Sequence, residues 1–117
     1  MKLTASEIER IIDDEIVVDC YTQEEVNVGW AIFMEENLNF PFEAEYLLEK
    51  KSGEKQWKNV RVVNNETDQS SFNGGEWYVS IELDELIISA RLSELRNMKA
   101  SKGSMQALQV WNSRNSY

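Results

Sequence analysis

Apolar side chains near the start of the chain recur at the spacing of an α-helix. The first group consists of isoleucines three or four positions apart, which share one helix face: Ile8, Ile11, Ile12 and Ile16. Thr4 and Glu7 stand at the two positions of a capping box, in which each side chain bonds the backbone N–H of the other residue. This pattern predicts a first helix that begins after Thr4 and ends near Asp19.

A second helix is predicted after Thr22, because Thr22 and Glu25 repeat the capping-box pattern. Its apolar positions are dense enough for a largely buried helix: Val26, Trp30, Phe33, Met34 and Leu38. Pro41 ends the pattern, since a proline pushes the residue before it out of the α conformation.

Beyond Pro41 the period changes to the alternation that is typical of strands. The segments with this pattern are 42–46, 57–63, 77–83 and 86–91. Asp84-Glu85 is predicted to form a tight turn, and residues 92–95 a short helical turn. A final helix is predicted over 103–114 from three apolar residues at helical spacing: Met105, Leu108 and Trp111.

These elements predict an α+β fold with a single domain over residues 1–117. Its parts are N-terminal helices over 1–40, an antiparallel β part over 42–95 and the short C-terminal helix over 103–114. Four strands followed by a short turn fit a small, SH3-like, partly open barrel.

The charge of the chain excludes several classes of function. Twelve basic and 21 acidic residues give a net charge of −9, which argues against a nucleic-acid partner, since phosphate binding needs clustered Lys and Arg. No apolar run approaches the ~20 residues of a membrane span, and the N-terminus is unlike a signal peptide. We therefore expect a cytoplasmic protein without a membrane partner.

The absence of histidine and the single cysteine restrict the available chemistry. Without histidine the chain lacks the usual base for a serine or cysteine nucleophile, and we expect no enzyme. Cys20 lies beside two valines and is predicted to be a buried, inert thiol. A bound metal would take oxygen ligands, which points to calcium, magnesium or manganese.

Two acidic segments are candidate metal ligands. Glu35 and Glu36 lie in the last predicted turn of the second helix, where negative charge opposes the helix dipole and a cation would offset it. Asn37 and Asn39 follow with amide or carbonyl oxygens. By contrast, the Glu24-Glu25 pair is fully explained by its place in the first turn.

The second segment is a polar loop in which Glu66 and Asp68 place carboxylates on alternate residues, as in the first half of an EF-hand loop. Gln69 stands where an EF-hand has its glycine, and Gly75 stands where the closing glutamate belongs. The loop is therefore not an EF-hand, although it can contribute oxygen ligands.

Three stretches resemble the CcbP-type calcium-binding family of cyanobacteria and other bacteria. They are residues 16–25, the Gly29-Trp30 pair, and residues 35–42, which read Glu-Glu-Asn-Leu-Asn-Phe-Pro-Phe. The resemblance implies a small, acidic, intracellular protein that binds Ca²⁺ outside any EF-hand and serves as a buffer or regulator in signalling. The acidic position of the family before Asn37 falls on Glu36. Glu66 and Asp68 are assigned from their chemistry alone.

A second hypothesis belongs to a different class. The chain could be a metal-independent acidic module that occupies a basic protein surface, as inhibitors of the immunity type do. Its anchors would be exposed aromatic residues beside carboxylates, such as Trp77 and Tyr78.

Overall fold

The computed structural model describes residues 2–114, which form an α+β fold of two compact units. The first unit contains the described residues of segments 1–39, 68–75 and 101–117. The second contains Phe40–Thr67 and Glu76–Ala100. All α-helices of the described chain fall in the first unit and the whole sheet in the second. The predicted α+β class is confirmed; the prediction of one domain over 1–117, whose ends lie outside the described residues, stays a prediction.

The first unit begins with α1, Ala5–Ile11, which is capped as predicted. Thr4 Oγ1 accepts from the Glu7 N–H at 3.2 Å, and Glu7 Oε1 accepts from the Thr4 N–H at 3.1 Å. The expected continuous helix to Asp19 does not form, because the chain widens into a π-helical turn over Ile12–Ile16. In this turn the Val17 N–H reaches back five residues to the Ile12 carbonyl, at 2.9 Å.

The second helix, α2, spans Gln23–Asn37 and ends before Pro41. Its predicted capping box forms in part: Thr22 Oγ1 accepts from the Glu25 N–H, whereas Glu25 Oε1 accepts from the Tyr21 N–H, one residue further back than expected. Four of the five predicted apolar positions are buried, namely Trp30, Phe33, Met34 and Leu38, whereas Val26 is half-buried.

The third helix, α3, spans Lys102–Ser113, close to the predicted range. Trp111 lies 5.8 Å from Trp30 and 5.6 Å from Phe72, measured between ring centroids. At the start of α3, the fully buried Ser104 Oγ accepts from the Asn39 N–H and donates to the Asn37 carbonyl. This hydroxyl joins the end of α2 to the beginning of α3.

The second unit is an open, antiparallel sheet in the order β4-β3-β2-β1-β5. Its strands are β1 Phe42–Glu49, β2 Lys55–Asn65, β3 Tyr78–Leu83, β4 Leu86–Arg91 and β5 Leu95–Lys99. The predicted turn at Asp84-Glu85 joins β3 to β4, and a 3₁₀ turn over Leu92–Glu94 precedes β5. The sheet has one strand more than predicted, because β5 is short and mostly exposed and lacks clear alternation.

Two predictions about burial are wrong. Trp77 is fully buried, and its Nε1 donates to Asn65 Oδ1 at 2.9 Å, so it is no surface anchor; only Tyr78 of that pair is exposed. Cys20 is half-buried rather than enclosed, because it follows the π-helical turn at the surface, with its Sγ 3.4 Å from the Glu25 carbonyl oxygen.

Candidate metal centre

Glu35 is the predicted ligand that forms a side-chain hydrogen bond to the polar loop. It is half-buried in the last turn of α2, and its Oε2 accepts from Gln69 Nε2 at 2.8 Å. Glu36 is exposed, and it points away because consecutive helical residues are turned by about 100°. The two glutamates therefore do not act as one pair, and Glu35 is the one that touches the segment Asp68–Gly75.

Asp68 shapes this loop. Its Oδ1 accepts from the Ser70 N–H, the Ser70 hydroxyl and the Ser71 N–H at 2.9, 2.7 and 3.0 Å. The Ser70 hydroxyl, followed by Ser71, lowers the pKa of the Asp68 carboxyl below its ordinary value because these donors favour the charged form. Asp68 is exposed.

Asn37 and Asn39 have structural partners. Asn37 Nδ2 donates to the Phe33 carbonyl at 2.8 Å, and the Asn37 carbonyl accepts from Ser104. Asn39 donates through its backbone to Ser104 and through Nδ2 to Ser101. The bonds to Ser101 and Ser104 hold the chain that follows Glu36 against the first turn of α3. They fix the position of the end of α2.

Glu66 belongs to the second unit, where it is exposed and its N–H donates to the Tyr78 carbonyl at 2.9 Å. The remaining predicted ligands, Glu35, Glu36, Asn37, Asn39 and Asp68, belong to the first unit.

The candidate ligands in the first unit offer many oxygen atoms but few carboxylates. Within residues 2–114 no three Asp, Glu or Cys side chains come together closely enough to hold a metal ion. The Glu35 carboxylate, the Gln69 amide and the Asp68 carboxylate are nonetheless oxygen ligands of the kind that calcium takes. A direct bond joins the first two of these residues, Glu35 and Gln69.

Gln69 is the residue of this centre that sequence reasoning missed. In the sequence it counts against an EF-hand, since it replaces the glycine of that loop. Its contact with Glu35 joins positions that are 34 residues apart. No local pattern in the polar loop indicates that contact, because it depends on the path of the loop in space.

Helices, open sheet and oxygen donors define the class as a small α+β protein with a candidate site for a hard cation. A model of the CcbP family, described as calcium binding, matches residues 9–113. The chain belongs to this family.

Two solved structures share the fold. CcbP from Anabaena is 22% identical, with a TM-score of 0.76 over 96% of this chain and 93% of that chain. A calcium binding protein in the calcium-binding form is also 22% identical, with a TM-score of 0.73 over 97% and 96% of the two chains. Among curated proteins, none matches the chain.

Proposed function

We propose that this protein binds Ca²⁺ through a non-EF-hand site at the end of α2 and acts as a cytoplasmic calcium buffer or regulator. Its membership of a calcium-binding family supports the choice of ion. The observation that carries the proposed location is the bond from Gln69 to Glu35, since it brings the oxygen-rich loop to the acidic end of a helix. The proposal includes no catalytic step.

Glu35 and Asp68 are the proposed carboxylate ligands, and Gln69 supplies an amide oxygen after its side chain turns toward the ion. Backbone carbonyls and water complete the shell. Glu36 and Asn39 are exposed, and their roles as ligands stay predictions. Asn37 contributes to the site by accepting a hydrogen bond from Ser104, which fixes the end of α2. Glu66, which the sequence also predicts as a ligand, stays a prediction.

The architecture differs from an EF-hand in the element that follows the loop. Strand β3, rather than a helix, follows Asp68–Gly75, and no glutamate closes the loop at its last position. Calcium affinity rises with the number of carboxylate ligands. A site with two carboxylates is therefore expected to have a dissociation constant above about 10⁻⁵ M, the weak limit of EF-hand sensors.

Calorimetric titration of the metal-free protein with Ca²⁺ and, separately, with Mg²⁺ tests this function. We expect measurable heat with Ca²⁺ and weaker binding of Mg²⁺, which demands a stricter octahedral shell and gives up its water reluctantly. A protein that takes up neither ion at millimolar concentration contradicts the proposal.

The location of the site is tested by two single variants that remove the same charge from adjacent residues. Glu35→Gln is expected to weaken calcium binding at least tenfold, about 1.4 kcal/mol, because Glu35 touches the loop. Glu36→Gln is expected to change it less than about threefold, an effect below 1 kcal/mol. Equal losses in the two variants, or a larger loss for Glu36→Gln, would place the site elsewhere.

A further inference from the structure

An open cavity of about 540 Å³ lies in the first unit, between the π-helical turn and the N-terminal half of α2. We call it the acidic groove. Its apolar lining includes Val18, Val28 and Ile32. Val18 is 51% exposed and Val28 is 40% exposed. These two valines give the concave site an apolar floor that is open to water.

The rest of the lining carries charge of a single sign. Glu15, Asp19, Glu24 and Glu25 line the groove and are exposed, and none of its described lining residues is Lys or Arg. Glu25 also serves in the cap of α2. A cleft that combines charge of one sign with a low-dielectric floor focuses the electric field, so this arrangement attracts cations to the groove.

The carboxylates of the groove are spread around its apolar floor. Glu15 belongs to the π-helical turn, Asp19 follows that turn, and Glu24 and Glu25 lie in the first turn of α2. Separate carboxylates around an apolar floor match several separate Lys or Arg side chains that flank an apolar one. That combination is the pattern of an amphipathic basic helix.

We propose that the acidic groove docks a basic amphipathic segment of a partner protein. An aliphatic side chain of that segment lies between Val18 and Val28, and its Lys or Arg side chains pair with the surrounding carboxylates. The groove is separate from the proposed calcium site: Glu24 and Glu35 are eleven positions apart, about 16 Å along the axis of α2. The proposal therefore does not rest on calcium binding.

The probe is a fluorescent synthetic peptide of about 12 residues, with leucines at helical spacing and lysines elsewhere. Fluorescence anisotropy measures its binding to the full chain, with chelator and again with Ca²⁺. One control peptide has Gln in place of each Leu, and another has Glu in place of each Lys. We expect the Lys/Leu peptide alone to bind, less tightly in high salt. Equal binding of the Gln-containing peptide overturns the proposal, because charge alone then suffices.

Two variants of the protein test the groove itself. Val28→Ser removes an apolar contact, and the double variant Glu15→Gln, Glu24→Gln removes two charges without touching the cap of Glu25. Each is expected to weaken peptide binding about tenfold. Leu86→Ser, a similar change at a residue 66% exposed on β4, is expected to leave it unchanged.

The calcium titration separates this proposal from the previous one. Val28→Ser is expected to bind calcium like the unmodified protein, and Glu35→Gln is expected to bind the peptide like the unmodified protein. Unchanged peptide affinity in both groove variants overturns the docking proposal whatever the calcium result. If Val28→Ser does not fold, the double variant decides, and its unchanged affinity alone overturns the proposal.

Discussion

Gly29 occupies a position in α2 at which a side chain has no space. A Cβ built on this residue would overlap the backbone carbonyl oxygen of Ile16, at the end of the π-helical turn. The next residue, Trp30, is buried and packs edge-to-face against Trp111. The Gly29-Trp30 pair that carries much of the family resemblance is therefore explained by two packing contacts within the first unit.

Gly29→Ala is expected to lower the free energy of unfolding by roughly 1–3 kcal/mol, the usual result of overpacking. The better helix propensity of alanine, about 1 kcal/mol, offsets only part of the strain. Urea denaturation measures the change.

The matched control is Gly103→Ala in α3, where a Cβ meets nothing within 4 Å. That change is expected to leave the protein equally stable or slightly more stable. If both substitutions have the same effect on stability, the close approach at Ile16 is not what requires a glycine.

For Glu35, the sequence predicts the local environment but not the side-chain partner. Its helix, its place in the last turn and its unfavourable position in the helix dipole follow from residues within one or two turns of it. Its partner Gln69 does not, because nothing within the polar loop distinguishes that amide from its neighbours. Side-chain contacts between distant segments depend on the fold as a whole.

Among the elements, β5 is held to β1 by side-chain bonds as well as by backbone pairing. Glu45 of β1 accepts from Arg96 at 2.8 Å and from Asn97 at 2.7 Å. Arg96 also lies over the ring of Trp57, 3.7 Å from its centroid. Asn97 has a positive φ of 50°, which interrupts regular strand geometry. These features explain why a period of two does not reveal this strand.

The bond from Arg96, followed by that from Asn97, lowers the pKa of the Glu45 carboxyl below its ordinary value of 4.5. A lowered pKa means that the contribution of this group to stability is fully present above that ordinary value. It is lost as the pH falls through the lower pKa of the folded state. We expect the attachment of β5 to weaken in that acidic range.

NMR titration of the Asn97 side-chain amide measures this effect. The Glu45→Gln variant lacks the titrating group and is expected to show no such transition at Asn97. If the amide signal of Asn97 moves with pH in the same way in both proteins, another group causes the change.

For the whole molecule, calcium binding is expected to raise the melting temperature. A ligand that binds only the folded state adds about 2.7 kcal/mol at a hundredfold excess over its dissociation constant. For a domain of about this size, that corresponds to a rise of about 8–15 °C. Differential scanning calorimetry of chelator-treated protein, with and without excess Ca²⁺, measures it. Glu35→Gln is expected to abolish most of the rise, and identical curves for the unmodified protein in the two conditions contradict the prediction.

Apart from the π-helical turn and β5, the order of the described elements follows from the sequence, whereas their grouping does not. The change of period at Pro41 predicts helices before it and strands after it, and both are observed. The first unit, however, collects three separated segments, including the loop Asp68–Gly75 and the helix α3. Periodicity describes neighbours along the chain, so it cannot indicate that Trp111 packs against Trp30 and Phe72.

The bond between Ser104 and Asn37 has a consequence for folding during synthesis on the ribosome. These residues are 67 positions apart. At a translation rate of about 5–20 residues per second, the end of α2 is synthesised roughly 3–13 s before Ser104, which forms a hydrogen bond to it. The apolar face around Trp30 emerges long before Trp111 can cover it. A nascent chain of this protein therefore exposes an apolar helix face, and chaperones that act during translation have several seconds in which to bind it.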